Sequence, residues 1–168
     1  MATISLKAPQ RIFGGTPYGN HTVHKFGIET SALGAVVGSD VATGVAVADK
    51  IRLGKIPVGF ELQDSLMLVS VGMTATITGK LGFEYVDGVD DTQDLATKEG
   101  RTIVPQDDDY FGTGITLATA GRYRASNNAV RPVTLPKDAY LILTTAVAAN
   151  AKASAIDVLV YGVDRGPL

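Results

Sequence analysis

The sequence predicts an all-β fold: an antiparallel β-sandwich or jelly roll with an extended N-terminal arm. Three observations carry this. Short apolar runs recur at hairpin spacing, several of them alternating apolar and polar residues with period two. Turn residues punctuate the runs, as in Pro57-Val58-Gly59, Asp87-Gly88 and Pro136-Lys137-Asp138. Helical periodicity is nowhere sustained, and only residues 95–100 suggest a single helical turn. The chain has 168 residues and is 45% apolar, enough for one domain with a real core. The expected division is an arm over residues 1–40 and a sandwich over residues 41–168.

Residues 1–40 hold Pro9, Gly14, Gly15, Pro17, Gly19, Gly27, Gly34 and Gly38, with no sustained period of either kind. They read either as an arm that orders against a neighbouring subunit or as a disordered tail, with one strand near residues 22–29. Arg11, Phe13 and Tyr18 are the arm's candidate anchors. Residues 41–56 predict the first confident strand, with Val45, Val47, Ile51 and Leu53 alternating and a phase slip at Ala48-Asp49 read as a bulge. Strands are expected at residues 62–71 and 74–85, the latter placing Ile77, Leu81, Phe83 and Tyr85 on one face.

Acidic loops are expected at residues 87–94 and 107–109, and an interrupted strand at residues 110–118. Residues 121–128 read as a polar loop with Arg122 and Arg124 on one face if extended. Residues 133–138 read as an edge strand and turn. Residues 139–147 give the strongest buried strand, and residues 155–163 are expected to return beside it.

Net charge is −2, which argues against a surface built for nucleic acid. The apolar runs are too short for a membrane span, and the first residues lack a signal-peptide hydrophobic region, so synthesis in the cytoplasm is expected. With no cysteine, neither disulfides nor thiolate metal sites are available. His21 and His24 fall on opposite faces of a strand and cannot easily share a metal. The acidic loops offer clustered oxygens of the kind calcium takes, but without EF-hand spacing. No nucleophile elbow, phosphate loop or Walker motif is present, so the sequence offers no catalytic residue and no cofactor site. Arg122, Tyr123 and Arg124 are candidate partner contacts, because arginine and tyrosine anchor interfaces.

Leu53-Gly54-Lys55-Ile56-Pro57-Val58-Gly59, the alternating strand that follows it, and Pro136-Lys137-Asp138-Ala139-Tyr140-Leu141 with Ile156-Asp157-Val158-Leu159-Val160-Tyr161 resemble elements of small virion proteins of tailed bacteriophages. The resemblance is to head decoration, or cement, proteins. It implies a non-enzymatic homo-oligomer, dimer or trimer, that binds the major capsid protein across subunit joints on the capsid surface of the virion. The alternatives are a tail, fibre or spike module that binds a receptor or carbohydrate, and an adhesion module outside any virus. A sugar-binding tip needs exposed aromatics, for which Tyr110, Phe111 and Tyr123 are the candidates.

Overall fold

The computed structural model describes residues 1–10, 19–91 and 103–166. The expected helical turn at residues 95–100 and the anchors Arg11, Phe13 and Tyr18 lie outside the described residues, as does Asp94 of the first acidic loop. Ten strands are formed among the described residues: β1 (Thr3–Gln10), β2 (His21–Thr30), β3 (Lys50–Ile56), β4 (Phe60–Val71), β5 (Thr78–Tyr85), β6 (Asp107–Thr116), β7 (Gly121–Arg124), β8 (Val133–Thr134), β9 (Ala139–Ala146) and β10 (Ser154–Asp164). There is no helix among them.

One sheet runs β1-β3-β9-β5-β6 and the other β2-β10-β4-β7, with β8 also on β4. All pairings are antiparallel except β1 with β3. The core lies between the sheets. Ile51, Leu53, Leu81, Phe83, Leu141 and Leu143 face it from the first, and Phe26, Ile28, Phe60, Leu62, Met67, Val158 and Val160 from the second. Each such side chain, fully buried, contributes about 1.5–3 kcal/mol. The fold is a β-sandwich, as the alternation predicts.

Several local expectations change. Residues 3–10, read as arm, form an edge strand of the first sheet, and the strand expected near residues 22–29 is β2, an edge strand of the second. Ile4, Phe26 and Ile28 are in the core. β2 alternates buried His24, Phe26 and Ile28 with exposed Val23, Lys25 and Glu29, so its one apolar face seals the sandwich despite the surrounding glycines. The strand expected from residue 41 starts only at Lys50. The slip at Ala48-Asp49 is a turn: Ala48 has φ +65°, and the buried Asp49 carboxylate accepts the N–H groups of Ala2 and Ala46. Residues 74–77 are likewise a turn, with Thr76 at φ +71°.

Asp107, Asp108 and Asp109 open strand β6 and are not a loop. β6 bulges widely there, since Leu81 pairs with Gly112 while Phe83 pairs with Asp107. The extra chain folds over Gly82, where a Cβ would lie 2.1 Å from the Asp107 carbonyl oxygen. β10 does not return beside β9. β9 sits between β3 and β5, whereas β10 sits between β2 and β4 in the other sheet. Residues 147–153 therefore cross between sheets instead of closing a hairpin, and Val147 begins the crossing at φ +72°.

The Pro57-Val58-Gly59 turn is as expected, with Gly59 at φ +81°. It is held by Asp138, which accepts the Val58 N–H at 3.0 Å and pairs with Lys55 at 3.0 Å. The Val58 N–H, and then the Lys55 ammonium, hold the Asp138 carboxyl below its ordinary value. A depressed carboxyl stabilises the fold above its unfolded pKa, and that contribution fades as pH falls through the folded value. Asp138→Asn is therefore expected to lower stability by about 0.5–1 kcal/mol at neutral pH, given its partial exposure. The gap from the parent protein should close in acid, as read from urea midpoints across pH.

Candidate functional site

The sequence-predicted residues Arg122, Tyr123 and Arg124 form strand β7, at the edge of the second sheet. Alternation puts Arg122 and Arg124 on the outer face and turns Tyr123 inward, where it packs against the core and donates to the Thr119 carbonyl at 3.1 Å. Arg124 pairs with Asp64 at 2.7 Å and lies 6.0 Å from the Tyr161 ring. In register, Lys25, Leu159, Leu66 and Arg124 form one row across the four strands, and Asp157, Leu68 and Arg122 continue the next. This face carries a half-buried leucine strip with charges at its borders, Lys25 being tied to Asp157 at 3.2 Å.

The other candidate groups are engaged within the fold. Asp87 pairs with Lys137 at 2.9 Å. Asp90 accepts the Gln106 N–H, and Asp91 accepts that of Val104. In the acidic start of β6 the carboxylate oxygens lie within 4.8 Å of one another, and Lys80 sits 3.5 Å from Asp108 and 4.0 Å from Asp109. Burial, with the Asp109 and Asp108 carboxylates alongside, holds Asp107 above its usual value. His21 bonds Gln63 at 2.7 Å, while His24 is buried with its ring 4.6 Å from Phe60. Tyr110 and Phe111 are buried, so they form no exposed aromatic tip. The Tyr110 hydroxyl donates to the Arg131 carbonyl at 2.8 Å, and burial raises its pKa to about 12.

The least ordinary surface lies at one end of the sandwich, where the sequence reading named no site. Four segments meet there: residues 31–37, 43–49, 72–77 and 147–153. They are tied together by Val45 N–H to Gly34 O (3.1 Å), Ala48 N–H to Thr145 O (2.9 Å) and Asn150 N–H to Val45 O (2.8 Å). The buried Asn150 side chain completes the frame. Its Nδ2 donates to Thr30 Oγ1 (3.1 Å) and Lys152 O (2.9 Å), and its Oδ1 accepts from Thr74 N–H (3.1 Å) and Thr74 Oγ1 (3.2 Å).

On this frame stand apolar side chains that water should disfavour: Leu33 is 80% exposed, Val147 67%, Val37 54% and Val47 48%. Ala48, Thr76 and Val147, the non-glycine residues with positive φ among the described residues, all lie here. A left-handed backbone costs about 1–2 kcal/mol per such residue, and β-branching makes Thr76 and Val147 poor choices. The end also carries little charge: its four segments hold only the buried Asp49 and the exposed Lys152, with Asp40 just beyond the first of them. Rigid turns that present uncharged apolar groups at the cost of strain have the make-up of an interface centre, where charges are depleted.

No protein-family profile and no curated protein matches this sequence. Solved structures do. The chain is similar to a chain of the capsid of Ralstonia phage GP4, with a TM-score of 0.64 at 17% identity, covering 97% of this chain and 98% of that one. It is also similar to a chain of the cyanophage Pam1 capsid asymmetric unit, with a TM-score of 0.51 at 14% identity and 94% of each chain covered. At these identities the likeness is one of fold: this two-sheet sandwich is shared, over nearly its whole length, with chains of two phage capsids.

Proposed function

We propose that this chain is a non-enzymatic structural protein of a phage virion. In this reading it is a decoration protein that docks through its apolar, sparsely charged end onto the outer surface of the head, across joints between major capsid protein subunits. The observation that carries the reading is that end, where Leu33, Val47 and Val147 stand out into solvent, the last two on strained turns at Ala48 and Val147. The shared fold supplies the setting. Docking repeated by the symmetry of a shell gains strength from avidity, so each contact can stay small. A protein that binds only the assembled lattice stabilises it by mass action.

The experiment is rebinding of purified protein to particles stripped of it. Leu33→Asp and Val147→Asp are each expected to weaken binding by about tenfold or more while the fold remains intact, since both side chains are largely solvated in the free protein. Val147→Gly separates docking from folding. It removes the strain, so thermal stability should hold or rise by up to about 1 kcal/mol, yet it removes the apolar contact and binding should fall. Unchanged binding by all three variants would overturn the assignment of this end.

A further inference from the structure

Three of the four sheet edges are closed or short among the described residues. β1 is flanked by residues 38–40, through Lys7 N–H to Gly38 O and Asp40 N–H to Ser5 O. β6 is bulged, and its outer side is bonded by Ser126 N–H and the Asn127 side chain. β7 spans four residues. The remaining edge, β2, is ten residues long and pairs with β10 without a register shift. It carries no proline and no bulge, devices by which natural edges are blunted.

The direction of its free groups follows from its far end. Val37 N–H donates to Glu29 O, and Ser31 N–H donates to Ala35 O, so odd-numbered residues point their backbone groups away from β10. The loop at residues 35–37 therefore closes the edge beyond Glu29. His21, Val23, Lys25 and Gly27 are left with outward N–H and C=O groups that have no backbone partner among the described residues.

We propose that β2 pairs antiparallel with β2 of a second copy of this chain, about a two-fold axis through His24. The register is chosen by exclusion. Centring on Lys25 sets two ammonium groups opposite each other and drives His21 against the partner copy's loop at residues 35–37. Centring on Val23 leaves only residues 21–25 paired within the strand and sets His21 opposite Lys25. Centring on His24 pairs Val23 with Lys25 and His21 with Gly27. It stays clear of the loop, opposes no like charges and forms about eight backbone hydrogen bonds. The aliphatic stem of Lys25 then lies over Val23 of the second copy. The two outer faces join into one eight-stranded face carrying both leucine strips. This pairing does not depend on the virion reading.

The chain has no cysteine, so introduced thiols report register without background. Val23→Cys and Lys25→Cys proteins are mixed in concentrated solution and oxidised gently. Directly paired positions lie about 5.5 Å apart between Cα atoms, within disulfide reach. The proposed register predicts the mixed disulfide, joining a Val23→Cys chain to a Lys25→Cys chain, at several-fold the yield of either like pair. Absence of covalent dimer, or dominance of a like pair, overturns it. Lys25→Pro deletes one outward N–H and no bond to β10, so it should sediment as a folded monomer where the parent protein sediments as a dimer. A dimer that survives Lys25→Pro overturns the proposal, and if that variant fails to fold, the disulfide yields decide.

Discussion

Asn150→Ala is expected to lower stability by about 2–4 kcal/mol and to abolish particle binding. The side chain is buried and joins β2, the turn before β5 and the β9–β10 crossing, through Thr30, Thr74 and Lys152. Truncation leaves the Thr74 N–H without its acceptor and takes one donor from the Lys152 carbonyl, which keeps the Thr30 hydroxyl at 2.9 Å. An orphaned buried group costs about 1–3 kcal/mol, and the loss of the packed amide adds to it. Docking is lost because the same side chain holds the frame on which Leu33 and Val147 stand. Asn150→Asp nearly conserves volume yet turns a second oxygen toward the Lys152 carbonyl, so it should be at least as damaging. Urea unfolding together with the particle assay checks both. If Asn150→Asp behaved as wild type, the donors assigned here would be wrong.

Gly162→Ala is expected to cost about 3–5 kcal/mol, and Gly162→Val to prevent folding. β10 is the centre of its sheet, and at Gly162 the neighbouring strand presses onto the backbone. An added Cβ would lie 2.0 Å from the Glu61 carbonyl oxygen and 2.6 Å from the Phe60 ring. The ring can turn, but the Glu61 carbonyl belongs to the β4 backbone and cannot move without breaking its ladder. Phe60→Leu is therefore not expected to rescue Gly162→Ala. A double-mutant cycle read by thermal unfolding tests this, and full rescue would show the ring to be the main obstacle.

Period-two patterning made much of the strand content legible. The strands at residues 139–146 and 154–164, expected at 139–147 and 155–163, form because their apolar residues alternate or run on in short blocks between turn signals. The pairing of those strands was not legible, because local periodicity says nothing about partners. β9 and β10 look like a hairpin, yet the crossing at residues 147–153, with Val147 in a left-handed conformation, carries the chain to the other sheet. Asp107, Asp108 and Asp109 read as loop because aspartate disfavours strands, and the bulge over Gly82 overrides that preference. β1 was obscured by the glycines and prolines around it, whereas β2 is the strand expected near residues 22–29.

The site was legible only in part. Alternation places Arg122 and Arg124 together on the outer face of β7. The apolar end was hidden because Leu33, Val47 and Val147 carry the residue types of a core, and exposure is a tertiary fact. One signal was present all the same. Residues 31–39, 41–48 and 145–151 contain no charge at all, unusual for turns that must face water.

The most direct test of the virion reading is the amount of this chain in purified particles, measured by quantitative mass spectrometry against the major capsid protein. A decoration protein should be present at roughly one copy per capsid subunit or at a simple symmetry fraction of it. A ratio roughly a hundredfold lower would place the chain in a tail or fibre, and its absence from particles would contradict the account outright.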